Sequence, residues 1–183
     1  MSLSKNILLI CLRFPPTPGI GGRRWAKFAK ELANRGYKIH VVTALEAEGK
    51  PSFWTEDVQH PSIHIHDVPN LYPQLKPSSS LWQKVKNRWV LQQLLWDTQG
   101  TPFDKGIYWK KGRLRKAKEL IEQHNISRVI ATGAPFSILY HSVELKEQFP
   151  NIQLIVDYRD PWLRAVNYGM KDLSPKRKAF EHA

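Results

Sequence analysis

Five short runs of apolar residues, rich in Ile and Val, recur along the chain and are separated by stretches with helical character. The runs lie at residues 6–12, 38–43, 62–68, 128–131 and 152–157. Two of these runs are too apolar for a sheet with one face in water, and the alternation with helices is typical of parallel strands covered on both faces. The sequence therefore predicts an α/β, Rossmann-like three-layer domain over residues 4–162, with a mainly parallel sheet in the order 3-2-1-4-5.

Two of the connecting helices have a clear apolar periodicity. The first is predicted at residues 22–35, where Gly36 supplies the left-handed stop, and the second at residues 135–148. The side chains expected to face the sheet are Trp25, Phe28, Ala29 and Leu32 in the first helix, and Phe136, Leu139, Val143 and Leu145 in the second.

Two segments fall outside this alternation. Residues 69–112 contain several prolines and three consecutive serines, and we expect an irregular insertion there. Residues 163–183 are basic and contain no further strand-like run. We expect them to form a connector or a peripheral helix.

Composition indicates one globular domain in a reducing compartment. The chain has 183 residues, of which 42% are hydrophobic, and this is enough for a single core. It has no apolar run of about 18 residues, no secretory signal pattern at the N-terminus, and a single cysteine, Cys11. We therefore expect a cytoplasmic location. The net charge of +12 would attract nucleotide diphosphates, anionic lipids or nucleic acid.

The strand order indicates where a ligand would bind. In an open parallel sheet, ligands bind beyond the carboxyl ends of the strands, at the point where the strand order reverses. In the order 3-2-1-4-5 this point lies between the first and fourth strands, and the loops at residues 13–22, 132–136 and 158–162 lie beside it. We expect the functional crevice among these three loops.

The first loop has the chemistry of an anion site. Gly21 and Gly22 stand at a helix start, where glycine lets backbone amides approach a ligand closely, and Arg23 and Arg24 add positive charge. The loop matches neither the dinucleotide fingerprint nor the Walker pattern. A diphosphate is the most natural ligand, and a tight turn with solvated arginines is the alternative. If the glycines serve a phosphate, Gly22→Val should cost only about 1 kcal/mol in stability.

The other two loops supply further candidate cleft residues. The loop after the fourth strand combines small residues with a helix start, and a plain helix start is its alternative explanation. The loop after the fifth strand carries charged residues, which are costly there unless they are paired or exposed; a structural Asp–Arg pair is the alternative. The candidates for the acceptor side of the cleft are Pro16, Thr17, Thr132, Gly133, Pro135, Phe136, Ser137, Arg159, Asp160 and Trp162.

Together these loops resemble the N-terminal domain of glycosyltransferase family 4, a large group of retaining enzymes with the GT-B fold. The resemblance covers most of the chain, except for the insertion at residues 69–112. The residues that carry it are Pro15-Pro16 through Gly21-Gly22-Arg23-Arg24, Arg35-Gly36-Tyr37, Ile39-His40-Val41-Val42-Thr43, Ala131-Thr132-Gly133-Ala134-Pro135-Phe136-Ser137 and Val156-Asp157-Tyr158-Arg159-Asp160-Pro161-Trp162.

The resemblance implies a two-domain enzyme that moves a sugar from a nucleotide-sugar donor to a sugar or lipid-linked acceptor, in cell-envelope polysaccharide or glycolipid synthesis. The N-terminal domain binds the acceptor, and a C-terminal domain, absent from this chain, holds the donor. Gly21 and Gly22 would approach the donor diphosphate when the domains close. No cofactor is expected, and the chain alone should be inactive.

One departure from the family leaves the catalytic residues unassigned. Many members carry a histidine in the loop after the fourth strand, whereas here that loop runs from Thr132 to Ser137. The nearest histidine is His141, which we expect to lie within the following helix.

A stripe of tryptophans lies within the insertion. Its residues recur every seven positions, which suits an amphipathic helix, and basic residues stand nearby. Core packing is the commoner use of such a stripe and is our first prediction; contact with an anionic membrane, on the inner face of the cell membrane, is the alternative. The tryptophans are Trp82, Trp89 and Trp96, and the basic residues are Lys84, Lys86 and Arg88.

The sequence also bears on two further function classes. His64 and His66 alternate along a strand without cysteine or carboxylate at metal-ligand spacing, so no metal site is predicted. The rival to an enzyme is a non-catalytic basic module that binds nucleic acid or an anionic membrane through its Trp-rich surface. Of these two partners, nucleic acid is the less expected.

Overall fold

The computed structural model of the chain describes residues 4–18, 20–45, 53–73, 80–97 and 104–158. In these ranges the strands are β1 (Asn6–Ile10), β2 (Lys38–Leu45), β3 (Ile63–Pro69), β4 (Arg128–Thr132) and β5 (Gln153–Asp157). The α-helices are α1 (Ile20–Asn34), α2 (Leu81–Asp97), α3 (Lys110–His124) and α4 (Ser137–Gln148), and a short 3-10 turn occupies Glu56–Val58.

The five strands form one parallel sheet in the order β3-β2-β1-β4-β5. The central strand, β1, pairs with β2 on one side and with β4 on the other, so that Ile10 lies beside both Val42 and Ala131. The predicted α/β class and the predicted strand order are confirmed. The fold is Rossmann-like, and its strand order reverses between β1 and β4.

Alternate side chains of the strands enter two separate cores. On one face, Ile7 and Leu9 of β1 pack with the residues of α1, and on the other face Leu8 and Ile10 pack with α3 and α4. Successive residues of a strand point to opposite faces, so a strand that is apolar throughout requires helices on both sides. The domain therefore has three layers, as predicted.

The inward face of α1 differs from the prediction. Ala26, Ala29 and Ala33 face the sheet and are almost fully buried, whereas Phe28 is 49% exposed and meets the ring of Trp25 edge to face. Small side chains let the helix lie close to the sheet, and this moves the aromatic residues to the flank. The prediction that Phe28 faces the core is wrong.

The inward face of α4 was predicted in part. Leu139 and Leu145 are buried, but Val143 is about half exposed. Ile138 and Ser142 are buried in its place, four residues apart. Val143 lies one position past Ser142, a rotation of about 100° around the helix, and it therefore turns away from the sheet.

The region predicted to be an irregular insertion contains regular structure. Residues 81–97 form the 17-residue helix α2, and α3 begins at Lys110, inside the predicted insertion. The tryptophan stripe thus lies on a helix, but core packing is wrong: Trp82, Trp89 and Trp96 are 85%, 74% and 85% exposed. None of the helices in the described ranges is long and apolar enough to cross a bilayer. Residues 163–183, predicted to be a connector, lie outside those ranges.

A buried carboxylate fixes the start of α4. Asp104 accepts hydrogen bonds from the Ser137 hydroxyl (2.5 Å) and from the backbone N–H groups of Ser137 (3.2 Å) and Gly106 (2.9 Å). The carboxylate also lies at the positive end of the helix dipole, where a negative charge is stabilising. The segment before α3 is thereby attached to α4.

We predict that Asp104→Ala lowers the free energy of unfolding by about 1 to 3 kcal/mol, because it removes a helix cap and leaves buried donors unsatisfied. Denaturant unfolding measures the loss. Glu122→Ala, which removes an exposed carboxylate from α3, is the control and should change stability by no more than about 0.5 kcal/mol. Equal effects of the two substitutions would contradict the assigned role of Asp104.

Candidate functional site

The carboxyl ends of β1, β4 and β5 define the candidate crevice. The connection from β1 to α1 and the loop from β4 to α4 leave the sheet where the strand order reverses. This is the position at which open parallel sheets bind ligands. The end of β5 lies next to the end of β4, where Thr132 is the register partner of Asp157.

Asp157, the last residue of β5, connects the three segments. Its Oδ2 atom accepts hydrogen bonds from the Thr132 hydroxyl (2.8 Å) and the Trp25 indole N–H (2.8 Å). The same oxygen forms an ion pair with the guanidinium of Arg24. We call these four residues, Arg24, Trp25, Thr132 and Asp157, the Asp157 clasp. It joins residues 133 positions apart in the sequence.

The two neighbouring arginines of α1 have different environments. Arg24 is partly exposed and reaches the carboxyl end of β5 through Asp157. Arg23 is exposed and its guanidinium stacks on the Trp54 ring, 4.1 Å from the ring centroid. Because the two side chains have different partners, only Arg24 belongs to the clasp. From the sequence alone, both arginines are expected to contribute positive charge to the same anion site.

Gly21 and Gly22 lie in the first turn of α1, so neither needs the left-handed conformation. Gly22 is buried, and a Cβ atom there would lie 2.9 Å from the carbonyl oxygen of Arg13. Glycine is therefore required at position 22 by the close approach of two backbone segments. This close contact indicates that Gly22→Val should cost more stability than the roughly 1 kcal/mol expected from the sequence.

The remaining candidate cleft residues divide by exposure. Pro16 is exposed, and Thr17 and Pro135 are half-buried. Gly133 is buried against Phe136 and Leu139. Phe136 is a core residue and Ser137 is buried beside Asp104, so their side chains stabilise the loop from within. Arg159, Asp160 and Trp162 lie outside the described residues.

The two helix starts at this edge differ in charge. The first turn of α1 contains no acidic residue, and Arg24 follows it directly. The start of α4 is already bonded to Asp104. An external anion beside α1 would therefore meet backbone amides and the Arg24–Asp157 ion pair, and beside α4 it would meet the carboxylate of Asp104.

One buried residue of α3, an arginine, was not predicted from the sequence. Arg113 of α3 is fully buried, and its guanidinium lies 5.4 Å from the Trp109 ring centroid. Burial lowers its pKa to about 10, although the charges of Asp104 and Glu144 oppose this shift. Its three side-chain nitrogens donate no hydrogen bond within the described part of the chain. Arg113 is one of several basic residues in α3, and nothing in the local sequence distinguishes it from those that are exposed.

A histidine cluster lies on β2, β3 and the end of α3, toward the starts of β1 and β2. The ring of His40 stacks on the rings of His124, His64 and His66, at centroid distances of 4.1, 5.2 and 5.6 Å. Together with Asn6 and Lys38, these rings line an open pocket of about 350 Å³. Among the described residues, no group of three or more His, Cys, Asp or Glu side chains could hold a metal ion.

Sequence spacing revealed only half of this cluster. His64 and His66 are two residues apart on β3, whereas His40 joins them through the β2–β3 register and His124 through the end of α3. Burial, followed by the neighbouring positive charges of His124, His64, His66 and Lys38, lowers the pKa of His40 to about 4.

The described part of the chain is thus a Rossmann-like α/β domain with a polar clasp at its topological switch point. No family model matches the chain, and no curated protein matches it.

We predict that Gly22→Ala destabilises the domain by about 1 to 3 kcal/mol, because the added methyl group meets a backbone carbonyl that cannot move aside cheaply. Gly21→Ala, in the same helical turn but half-buried, should change stability little or raise it, since alanine favours helix. Urea unfolding of both variants measures the difference. Equal stabilities would contradict the proposed packing role of Gly22.

We also predict that acid destabilises the domain partly through His40. Its pKa is about 4 in the folded chain and 6.5 ordinarily, so the unfolded chain binds the extra proton between these values. Stability should therefore fall as the pH falls from 6.5 to 4. His40→Gln should reduce the slope of the unfolding free energy against pH in this window.

His141→Gln provides a comparison for that titration, because burial and the charges of Lys110 and Arg113 lower the pKa of His141 to about 4 as well. Each substitution should remove part of the slope, and the double variant should remove the sum of the two parts. An unchanged slope in His40→Gln would contradict the assignment.

Proposed function

We propose that the chain is the N-terminal, acceptor-side domain of a retaining glycosyltransferase with the GT-B fold. The whole enzyme would transfer a sugar from a nucleotide sugar to a sugar or lipid-linked acceptor, in the synthesis of cell-envelope polysaccharide or glycolipid. A second domain, following this one, would hold the nucleotide.

The Asp157 clasp is the observation that carries this proposal. The segments that resemble glycosyltransferase family 4 are far apart in the sequence, yet Arg24 from the first and Thr132 from the second both contact Asp157 of the third. The strand order brings the three loops together, and the side-chain contacts among them add to the resemblance. The contact lies at the switch point of the sheet, where this fold class binds ligands.

The first turn of α1 has the chemistry required by a departing diphosphate. Cleavage of the bond between the sugar and the diphosphate leaves negative charge on the phosphate oxygens, and fixed donors that face this charge lower the barrier. We assign this role to the amides of Gly21 and Gly22 and to the guanidinium of Arg24. Asp157 holds Arg24 in one orientation, so little reorganisation is needed during transfer.

The acceptor would lie on the other side of the same crevice. Pro16, Thr17 and Pro135 offer accessible surface there. The sequence resemblance adds Arg159, Asp160 and Trp162 to the residues that we propose for acceptor binding. The buried members of the loop after β4, Phe136 and Ser137, would act as supports for this surface.

Transfer assays test the proposal. The reading frame that encodes this chain is expressed through any α/β domain that follows residue 183, and the product is assayed with a panel of nucleotide sugars. We expect transfer by the two-domain product and none by residues 1–183 alone. Turnover by residues 1–183, or a two-domain product that transfers no sugar from any donor, would overturn the proposal.

Two adjacent arginines provide a matched pair for the same assay. Arg24→Gln should lower kcat/KM by about 10² to 10³, the usual cost of removing one donor to a developing negative charge. Arg23→Gln removes the same charge from the neighbouring position, which faces Trp54, and should leave turnover close to that of the unchanged enzyme. Thermal melting of both variants checks that each is folded. Equal losses would show that only the net charge matters.

A further inference from the structure

The outward face of α2 is an exposed apolar surface. Trp82, Val85, Trp89 and Trp96, which we call the Trp face, are between 50% and 85% exposed. Isolated apolar side chains are common on protein surfaces, but a continuous apolar patch usually marks a site of interaction. Three indoles on one helix form such a patch.

Helical geometry places the Trp face opposite the side that contacts the domain. Residues seven apart lie about two turns and 10.5 Å apart along a helix, on nearly the same line, so the three indoles form a row. Leu94 is the buried residue of α2, and Gln83, Asn87 and Val90 are half-buried on the same side. The helix is therefore attached through one side and presents its tryptophans on the other.

The charged residues of α2 are mostly positive, which favours a negatively charged partner. Lys84, Lys86 and Arg88 stand in the first half of the helix, and the one acidic residue, Asp97, is at its end. At 100° per residue, Lys86 and Arg88 fall on opposite flanks of the tryptophan row. Asp97 accepts a hydrogen bond from the Tyr108 hydroxyl and thus faces the domain. The net charge of the chain, +12, has the same sign.

We propose that α2 docks the protein on an anionic lipid bilayer, with the helix parallel to the membrane and the three indoles at the depth of the headgroups. Indole combines an apolar ring with an N–H donor, which suits the interface between water and hydrocarbon. Lys86 and Arg88 flank the row and would contact acidic headgroups. A helix of 17 residues, about 25 Å long, lies along such an interface and does not span the membrane.

Other occupants fit the geometry less well. Single-stranded nucleic acid stacks successive bases on aromatic rings within a basic groove, whereas these indoles stand about 10.5 Å apart on a convex helix. A second copy of the chain would bring two sets of like charges together, at Lys84, Lys86 and Arg88. Docking of α2 on a bilayer does not require that the protein transfers a sugar.

Vesicle sedimentation tests the proposal with the whole chain. The probes are vesicles of phosphatidylcholine alone and of phosphatidylcholine mixed with phosphatidylglycerol. We expect binding to the mixed vesicles, with a blue shift of Trp fluorescence. Replacing Trp82, Trp89 and Trp96 together by Ser should lower the partition coefficient at least about tenfold, because the buried apolar area is lost. The folded domain should be unaffected, since these side chains are exposed.

Two triple variants distinguish the contribution of the charges on α2 to vesicle binding from that of the net charge of the protein. Replacing Lys84, Lys86 and Arg88 by Ser should weaken binding to the mixed vesicles by at least about tenfold. Replacing Lys5, Lys111 and Arg115 by Ser removes the same charge from exposed positions elsewhere and should weaken binding much less.

Three outcomes would overturn the proposal. The first is equal binding by the Trp variant and the unchanged chain. The second is a labelled single-stranded oligonucleotide that binds more tightly than the vesicles and loses affinity in the Trp variant. The third is a dimer in analytical ultracentrifugation that the Trp variant abolishes, without vesicle binding by the unchanged chain.

Discussion

The domain depends on the burial of β1 between β2 and β4. Leu8, Leu9 and Ile10 of this strand are almost inaccessible to solvent and contribute to both cores. Because the chain builds the sheet outward from β1 in one direction and then returns to pair β4 on its other side, the connections after β1 and β4 diverge. The crevice at their carboxyl ends is a direct consequence of this pairing, and it exists whatever residues later occupy the loops.

A single carboxylate connects the segments around that crevice. Asp157 is only partly accessible, and its oxygen serves one guanidinium and two neutral donors at once. Hydrogen bonds to an ionised group are stronger than those between neutral groups, especially away from bulk water. The positions of the first turn of α1 and of the loop after β4 are therefore coupled to the end of β5. A displacement of any one of these segments would strain or break its hydrogen bonds to the other two.

The sequence predicted the layers and strand order because apolar periodicity reflects burial directly. Apolar periodicity does not show which residues of a helix face inward where side-chain size, and not hydrophobicity, determines the packing. In α1 the small alanines face the sheet and Phe28 does not. The same periodicity describes a buried stripe and an exposed one, so the sequence alone favours core packing for Trp82, Trp89 and Trp96. Arg23 and Arg24 diverge because neighbouring helical side chains point about 100° apart. The histidine cluster needed the β2–β3 register, which local sequence does not contain.

The bonds from Asp104 to the start of α4 also fix the loop after β4. Asp104 lies before α3 and Ser137 begins α4, 33 positions further along the chain. The start of α4 can leave its place only if these buried hydrogen bonds break. The loop after β4 is therefore held at both of its ends, by the sheet at Thr132 and by Asp104 at Ser137.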